Sequence, residues 1–167
     1  MKLPVKAEKV LPHRGRMLLI DTVTSAEDGA GTVTTRLPAN SISRTADGRI
    51  FAPFYIELVA QAYAAICGYS FLSRDIPVPE GYLVGVQKFE IHQNPPADCP
   101  FESQLIISVQ TLGSFDGFAV VEGVVSCDSK VIAEGKIKVF VPEDAATESR
   151  INESTVALSG ASESKTQ

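Results

Sequence analysis

PFYIELVAQAYAAICGYSF, residues 53–71, is a helix-compatible run in which apolar side chains occupy almost every face. Proline suits the first helical position, because its missing N–H would have no partner there. A helix that is apolar all round is buried, so the run predicts a central helix. Glu57 and Gln61 stand four positions apart and share one face, which Ala64 and Gly68 continue with small side chains.

The segments on either side of this helix predict strands. Upstream, residues 17–24 and 32–37 are rich in apolar and β-branched residues around an Asp28-Gly29 turn, and the polar stretch 38–52 reads as a loop. Downstream, four apolar runs are separated by turn residues and predict an antiparallel meander; they cover residues 82–91, 103–112, 118–127 and 131–141. We therefore predict an α+β fold with an antiparallel sheet wrapped around one long helix. The exposed edges of such a sheet predict a dimer.

Length, charge and composition narrow the class of protein. The 167 residues favour a single domain over residues 1–142, followed by a disordered polar tail over residues 143–167. A net charge of −5, from 15 basic and 20 acidic residues, argues against nucleic acid binding. No apolar run is long enough to span a membrane and no signal sequence is visible, so we expect a cytoplasmic protein.

The cysteine and histidine content argues against a metal site. Three widely spaced cysteines and two histidines give no paired ligand motif and no disulfide framework. We therefore expect a reduced protein without a metal, in which Cys67 is a small core residue and Cys99 and Cys127 have no special role.

Two motifs carry a resemblance to a known family. The run LPHRGRMLLID, residues 11–21, resembles the opening motif of the β-hydroxyacyl-acyl carrier protein dehydratases, which have the hotdog fold. YIELVAQA, residues 55–62, resembles the central-helix pattern of that family, and Pro96-Ala97-Asp98 is a looser match to its Pro-Gly-Asp turn. The chain departs from the family at Ser43, where the family has a catalytic histidine in a Gly-His-Phe-Pro-Gly loop. This divergent loop resembles the ApeP-like dehydratase branch, which is associated with aryl polyene clusters.

The resemblance implies an acyl thioester ligand on a carrier protein or coenzyme A, and no cofactor other than the phosphopantetheine that carries the substrate. Dehydrating a 3-hydroxyacyl thioester requires a base, an acid and a donor to the thioester oxygen. Glu57 is the predicted acid, since a desolvated carboxyl retains its proton more readily. We predict that the substrate-binding residues are Gln61, the N–H of Ala52, Phe54 and Ser43.

The base has two possible sources, because a serine at position 43 cannot act as a base unaided. His13 could reach the site within this chain. Alternatively, a related subunit could contribute its loop histidine, because in the family the histidine and the acid of one site come from different subunits. The second source predicts a heterodimer in which this chain donates the acid.

Four basic residues are candidates for contact with the phosphopantetheine and an acidic carrier protein. They are Arg44, Arg49, Arg74 and Lys88. Scattered basic residues of this kind are also common as solvated surface charge.

Other readings of the same residues remain open. A hotdog thioesterase needs a helix carboxylate but no histidine, and a non-catalytic acyl-binding or stabilising subunit needs neither. Glu57 could instead pair with Arg14 or Arg16 for structural reasons. His13 could serve as a hydrogen-bonding residue that fixes its own turn.

Overall fold

One long helix, α1 (Pro53–Leu72), occupies the position that residues 53–71 predict. The structure is a computed structural model that describes residues 1–92 and 103–142. Pro53 lies in the first turn, and the helix ends where Ser73 donates its N–H to the Tyr69 carbonyl. The buried face of α1 includes Tyr55, Leu58 and Ile66. Among the described helices, none is long and apolar enough to cross a membrane.

A seven-stranded sheet packs against this helix. The strands are β1 (Val5–Lys6), β2 (Thr22–Glu27), β3 (Ala30–Thr35), β4 (Tyr82–Ile91), β5 (Leu105–Phe115), β6 (Phe118–Cys127) and β7 (Lys130–Phe140). Their order is β1-β2-β3-β5-β6-β7-β4, and every neighbouring pair is antiparallel. The helix lies on β2, β3, β5, β6 and β7, which leaves β4 as an edge strand beyond it. The predicted α+β arrangement is therefore confirmed.

The tight hairpins have the turn chemistry that their residues predict. Gly29 and Gly117 have φ values of 76°, and each follows an aspartate that also has a positive φ. Such turns match the right-handed twist of the flanking strands. The start of the first hairpin differs from the prediction, because residues 17–21 are not part of a strand. Met17 ends a short 3-10 turn, and the backbone of Leu19 is hydrogen-bonded to the helix.

Glycines in the sheet allow the helix to approach closely. A Cβ on Gly123 of β6 would collide with the side chain of Val59, and one on Gly31 of β3 would meet Ile66. Val59 and Ile66 are both fully buried. The centre of the sheet therefore accommodates the two bulky side chains of α1 because these strand positions lack a side chain.

Several sequence-based predictions fall outside the described residues. These are the 96–98 turn, Cys99 and the polar tail over residues 143–167. Of the other cysteines, Cys67 is a free thiol whose pKa is raised by burial. Cys127 is disulfide-bonded, which corrects the expectation of unpaired thiols. Cysteine spacing along the chain does not report which thiols meet in space.

Candidate functional site

Gln61 joins the central helix to the segment that precedes β2. Its side chain is buried, and its amide nitrogen donates to Glu57 Oε1 at 2.7 Å and to the Met17 carbonyl at 2.8 Å. Its carbonyl oxygen accepts the N–H of Leu19 at 3.0 Å. Both amide protons and the carbonyl thus have partners. Gln61 holds Glu57 and the 17–19 backbone in one fixed arrangement.

Glu57 lies one turn before Gln61, at the surface of the described chain. Its side chain is 30% exposed, so its desolvation is only partial and smaller than the sequence predicts. Among the described residues, the polar contacts to this carboxyl all end on Oε1. Oε2 is therefore left for a ligand.

His13 is brought to Glu57 by a turn that Arg14 fixes. The Arg14 guanidinium donates to the carbonyls of Leu11 and His13, and not to Glu57. His13 Nε2 lies 3.8 Å from Glu57 Oε1. His13 Nδ1 is buried and has no hydrogen-bond partner among the described residues. Arg14 therefore fixes the turn, whereas the imidazole faces the carboxyl.

The 38–52 loop buries the residue at the position where the resemblance implies a histidine. Ser43 is fully buried, and its hydroxyl is 2.8 Å from that of Ser41. Its carbonyl accepts the N–H of Phe51 at 2.8 Å. The loop closes further through an isolated β-bridge between Arg44 and Ile50. In the described chain, the Ser43 side chain is thus enclosed by its own loop.

Arg44 stabilises this loop from the inside. Its guanidinium donates to the carbonyls of Leu37 at 2.8 Å and Gly48 at 2.6 Å. Burial lowers the pKa of Arg44. Burial also raises the pKa of the nearby Tyr55 phenol, and the Arg44 charge opposes that rise. Arg44 therefore has a structural function in this loop.

The amino-terminal end of α1 is open next to the loop. The structure provides no acceptor for the Ala52 N–H among the residues it describes, and Ala52 itself is exposed. Phe51 is 53% exposed and contacts Phe54 edge to face, with 6.4 Å between ring centroids. Sequence reasoning missed Phe51; an aromatic residue directly before a helix start was the available signal. An N–H without a recorded acceptor in the described chain, beside two aromatic rings, can bind a polar group that carries an apolar chain.

The four candidate basic residues do not form one patch. Arg44 and Arg49 belong to the 38–52 loop, and Arg49 is paired with Asp47 at 3.3 Å. Arg74 follows the other end of α1. Lys88 lies on the edge strand β4, 2.9 Å from Glu90. Only Arg44 and Arg49 are therefore close to the open helix end.

A second cluster of titratable residues lies on β4 and β7. Glu90, His92 and Glu134 each offer one ligand atom within 4.8 Å of the others, and all three are exposed. His92 Nε2 is 2.7 Å from Glu134, and Lys88 contacts Glu90. Because each of these groups already has a side-chain partner, the cluster is an exposed network of polar contacts between side chains.

Comparison with solved structures shows the fold that this chain shares with known proteins. The chain is similar to the dehydratase heterocomplex ApeI:P from Xenorhabdus doucetiae, with 23% identity, a TM-score of 0.74 and coverage of 89% of this chain and 98% of that chain. It is also similar to a hypothetical thioesterase with coenzyme A from Streptococcus pneumoniae, with 16% identity, a TM-score of 0.55 and coverage of 71% and 86%. The PaaI protein of E. coli gives 14% identity, a TM-score of 0.55 and coverage of 71% and 80%. These likenesses show that the fold is the hotdog fold.

A match to a sequence family identifies this protein more closely than its fold does. Residues 5–150 match the ApeP-like family, described as ApeP dehydratase. The chain therefore belongs to the ApeP-like dehydratase family. A sequence comparison with curated proteins finds no significant match.

Proposed function

We propose that this chain is the acid-donating half of a heterodimeric 3-hydroxyacyl thioester dehydratase. The observation that carries the proposal is Glu57, held through Oε1 by Gln61 beside the open end of α1. Protonated Glu57 transfers its proton to the departing 3-hydroxyl group, which leaves as water. Gln61 positions the carboxyl and donates to it after the proton has left.

A partner subunit supplies the base in this proposal. Ser43 is buried, and its hydroxyl meets the hydroxyl of Ser41 rather than an imidazole or a carboxylate. A serine in these surroundings does not remove a C2 proton. The heterocomplex ApeI:P of Xenorhabdus doucetiae is a precedent for joining two different dehydratase subunits.

The edge strand β4 is the proposed surface for that partner. Among the described strands, β4 has β7 as its single neighbour. Apolar side chains along β4 are 38–50% exposed; they are Tyr82, Leu83, Val84, Val86 and Ile91. Unpaired edges with apolar side chains are covered by another chain in stable proteins. Pairing through β4 would extend the sheet into the second subunit.

The substrate enters at the open end of α1. The N–H of Ala52, an exposed residue, donates to the thioester oxygen, and the rings of Phe51 and Phe54 contact the acyl or pantetheine chain. Arg49 is exposed in the loop that leads into α1 and is paired with the equally exposed Asp47, so an acidic carrier protein would compete with Asp47 for it. Arg44, in contrast, is engaged with backbone carbonyls. Coenzyme A thioesters present the same phosphopantetheine group.

The first test is mass spectrometry of a 3-hydroxyacyl-pantetheine thioester. The thioester is incubated with this chain, with a hotdog homologue that carries the Gly-His-Phe-Pro-Gly loop, and with the mixture. We expect loss of water to be faster in the mixture than the sum of the separate rates. A mixture no faster than the homologue alone, without a mixed dimer, contradicts the proposal.

Matched variants connect this activity to the acid. Glu57→Gln should lower the mixture's dehydration rate by about two to four orders of magnitude, because it removes a general acid. Glu27→Gln changes an exposed carboxylate at the end of β2 and should leave the rate unchanged. Release of free thiol instead of water would identify a thioesterase. Loss of folding in Glu57→Gln would assign Glu57 a structural role.

A further inference from the structure

The two nitrogens of His13 have different surroundings. Nε2 faces Glu57 Oε1 at 3.8 Å, and the His13 side chain is 32% exposed. Nδ1 is buried without a hydrogen-bond partner among the described residues. The turn that presents the ring is held by the Arg14 guanidinium, so the ring itself is not needed to fix the turn.

These surroundings select one tautomer of the neutral imidazole. A proton on Nδ1 would be a buried N–H without an acceptor, and orphaned buried donors are rarer than orphaned acceptors. The tautomer with its proton on Nδ1 would also direct the Nε2 lone pair at the Glu57 carboxyl. A proton on Nε2 instead points toward Oε1, where it meets negative charge when Glu57 is ionised.

We propose that His13 is a positioning residue that donates from Nε2 to Glu57 Oε1 when the glutamate loses its proton, an inference that rests on the proposed function. The partner's base takes the C2 proton, the C2=C3 double bond forms and the C3–O bond breaks. The hydroxyl takes the Glu57 proton and leaves as water. His13 itself transfers no proton in this step. A movement of about 0.8 Å converts the present contact into a hydrogen bond, and such contacts shorten when substrate binds.

Two matched variants test this assignment. A glutamine at position 13 carries its amide nitrogen near the place of Nε2, whereas an asparagine reaches only to the place of Nδ1. In the mixture with the base-bearing subunit, we expect His13→Asn to lower kcat about tenfold with KM unchanged, because it removes one donor to the developing charge. His13→Gln should retain kcat to within about threefold, because it keeps that donor.

Other results would overturn the assignment. An equal and complete loss of kcat in both variants would identify His13 as the base itself. Wild-type kcat in both variants would mean that the Nε2 donor has no part in the reaction.

A second measurement does not depend on activity. Nitrogen-15 NMR of the wild-type imidazole distinguishes the two tautomers directly. We expect the proton of neutral His13 on Nε2, and a proton on Nδ1 would contradict the proposal. If the wild-type mixture forms no dehydrated product, the proposed function fails. The nitrogen-15 spectrum still shows, independently of that result, which nitrogen of His13 carries the proton that faces Glu57.

Discussion

At the residue scale, Gln61 shows why an amide occupies a buried position on an apolar helix. A glutamate there would bring a second carboxyl close to Glu57 and could not donate to the Met17 carbonyl in its ionised form. A methionine would fill the volume but leave the Leu19 N–H without its acceptor. Only a side chain with two donors and one acceptor satisfies all three partners.

Gln61→Met should therefore destabilise the protein. Three hydrogen bonds are lost and the Leu19 N–H loses its partner, which predicts a decrease of about 2–4 kcal/mol in the free energy of unfolding. Urea denaturation measures this decrease. Gln110→Met is the control, because Gln110 is exposed on β5, and it should change stability by less than about 0.5 kcal/mol. Equal stability of the two variants would mean that the Gln61 contacts contribute little.

The sequence predicts only part of this arrangement. The separation of four residues between Glu57 and Gln61 already places them on one helix face. The partners of Gln61 lie 42 and 44 positions away in the chain, at Leu19 and Met17. No periodicity encodes such contacts, because they depend on how the segment before β2 packs on α1. The contact between His13 and Glu57 also depends on long-range packing. The sequence alone therefore offers His13 only as one of two possible sources of the base.

At the element scale, most helix and strand positions follow from hydrophobic patterning and turn residues. β4 and β6 begin and end at the predicted residues, and α1 begins at the predicted proline. The run over residues 17–20 is one exception, because its apolar pattern reflects burial beside the helix and not strand pairing. Leu19 and Ile20 are both buried there. β1 was not predicted, because its two residues carry no periodic signal.

The fit between α1 and β6 is testable at Gly123. Gly123→Ala places a methyl group against Val59, and the helix must shift, so we expect a loss of about 1–3 kcal/mol in stability. Gly113→Ala is the matched control, because a Cβ at Gly113 of β5 has nothing within 4 Å. Thermal unfolding of both variants measures the difference. If Gly123→Ala unfolds at the wild-type temperature, the packing between α1 and β6 is looser than described.

At the scale of the whole molecule, we propose that a second subunit joins the sheet at the edge strand β4. Val84→Lys puts a charge on this edge, where the wild-type side chain is 50% exposed, and should abolish association with a second subunit. Ile106→Lys, at a residue 40% exposed on the interior strand β5, is the control and should leave the assembly intact. Analytical ultracentrifugation gives the mass of each variant. A Val84→Lys protein with an unchanged mass would place the interface elsewhere.

The 38–52 loop is held in place mainly by hydrogen bonds between its own residues. The hydroxyls of Ser41 and Ser43 are hydrogen-bonded, and Arg44 donates to the carbonyls of Leu37 and Gly48. Across the loop, the N–H of Thr45 donates to the carbonyl of Arg49 at 2.8 Å. Among the described residues, no hydrogen bond connects this loop to Glu57. A substitution within the loop therefore leaves Glu57 in place, because Gln61 on the helix holds its carboxyl.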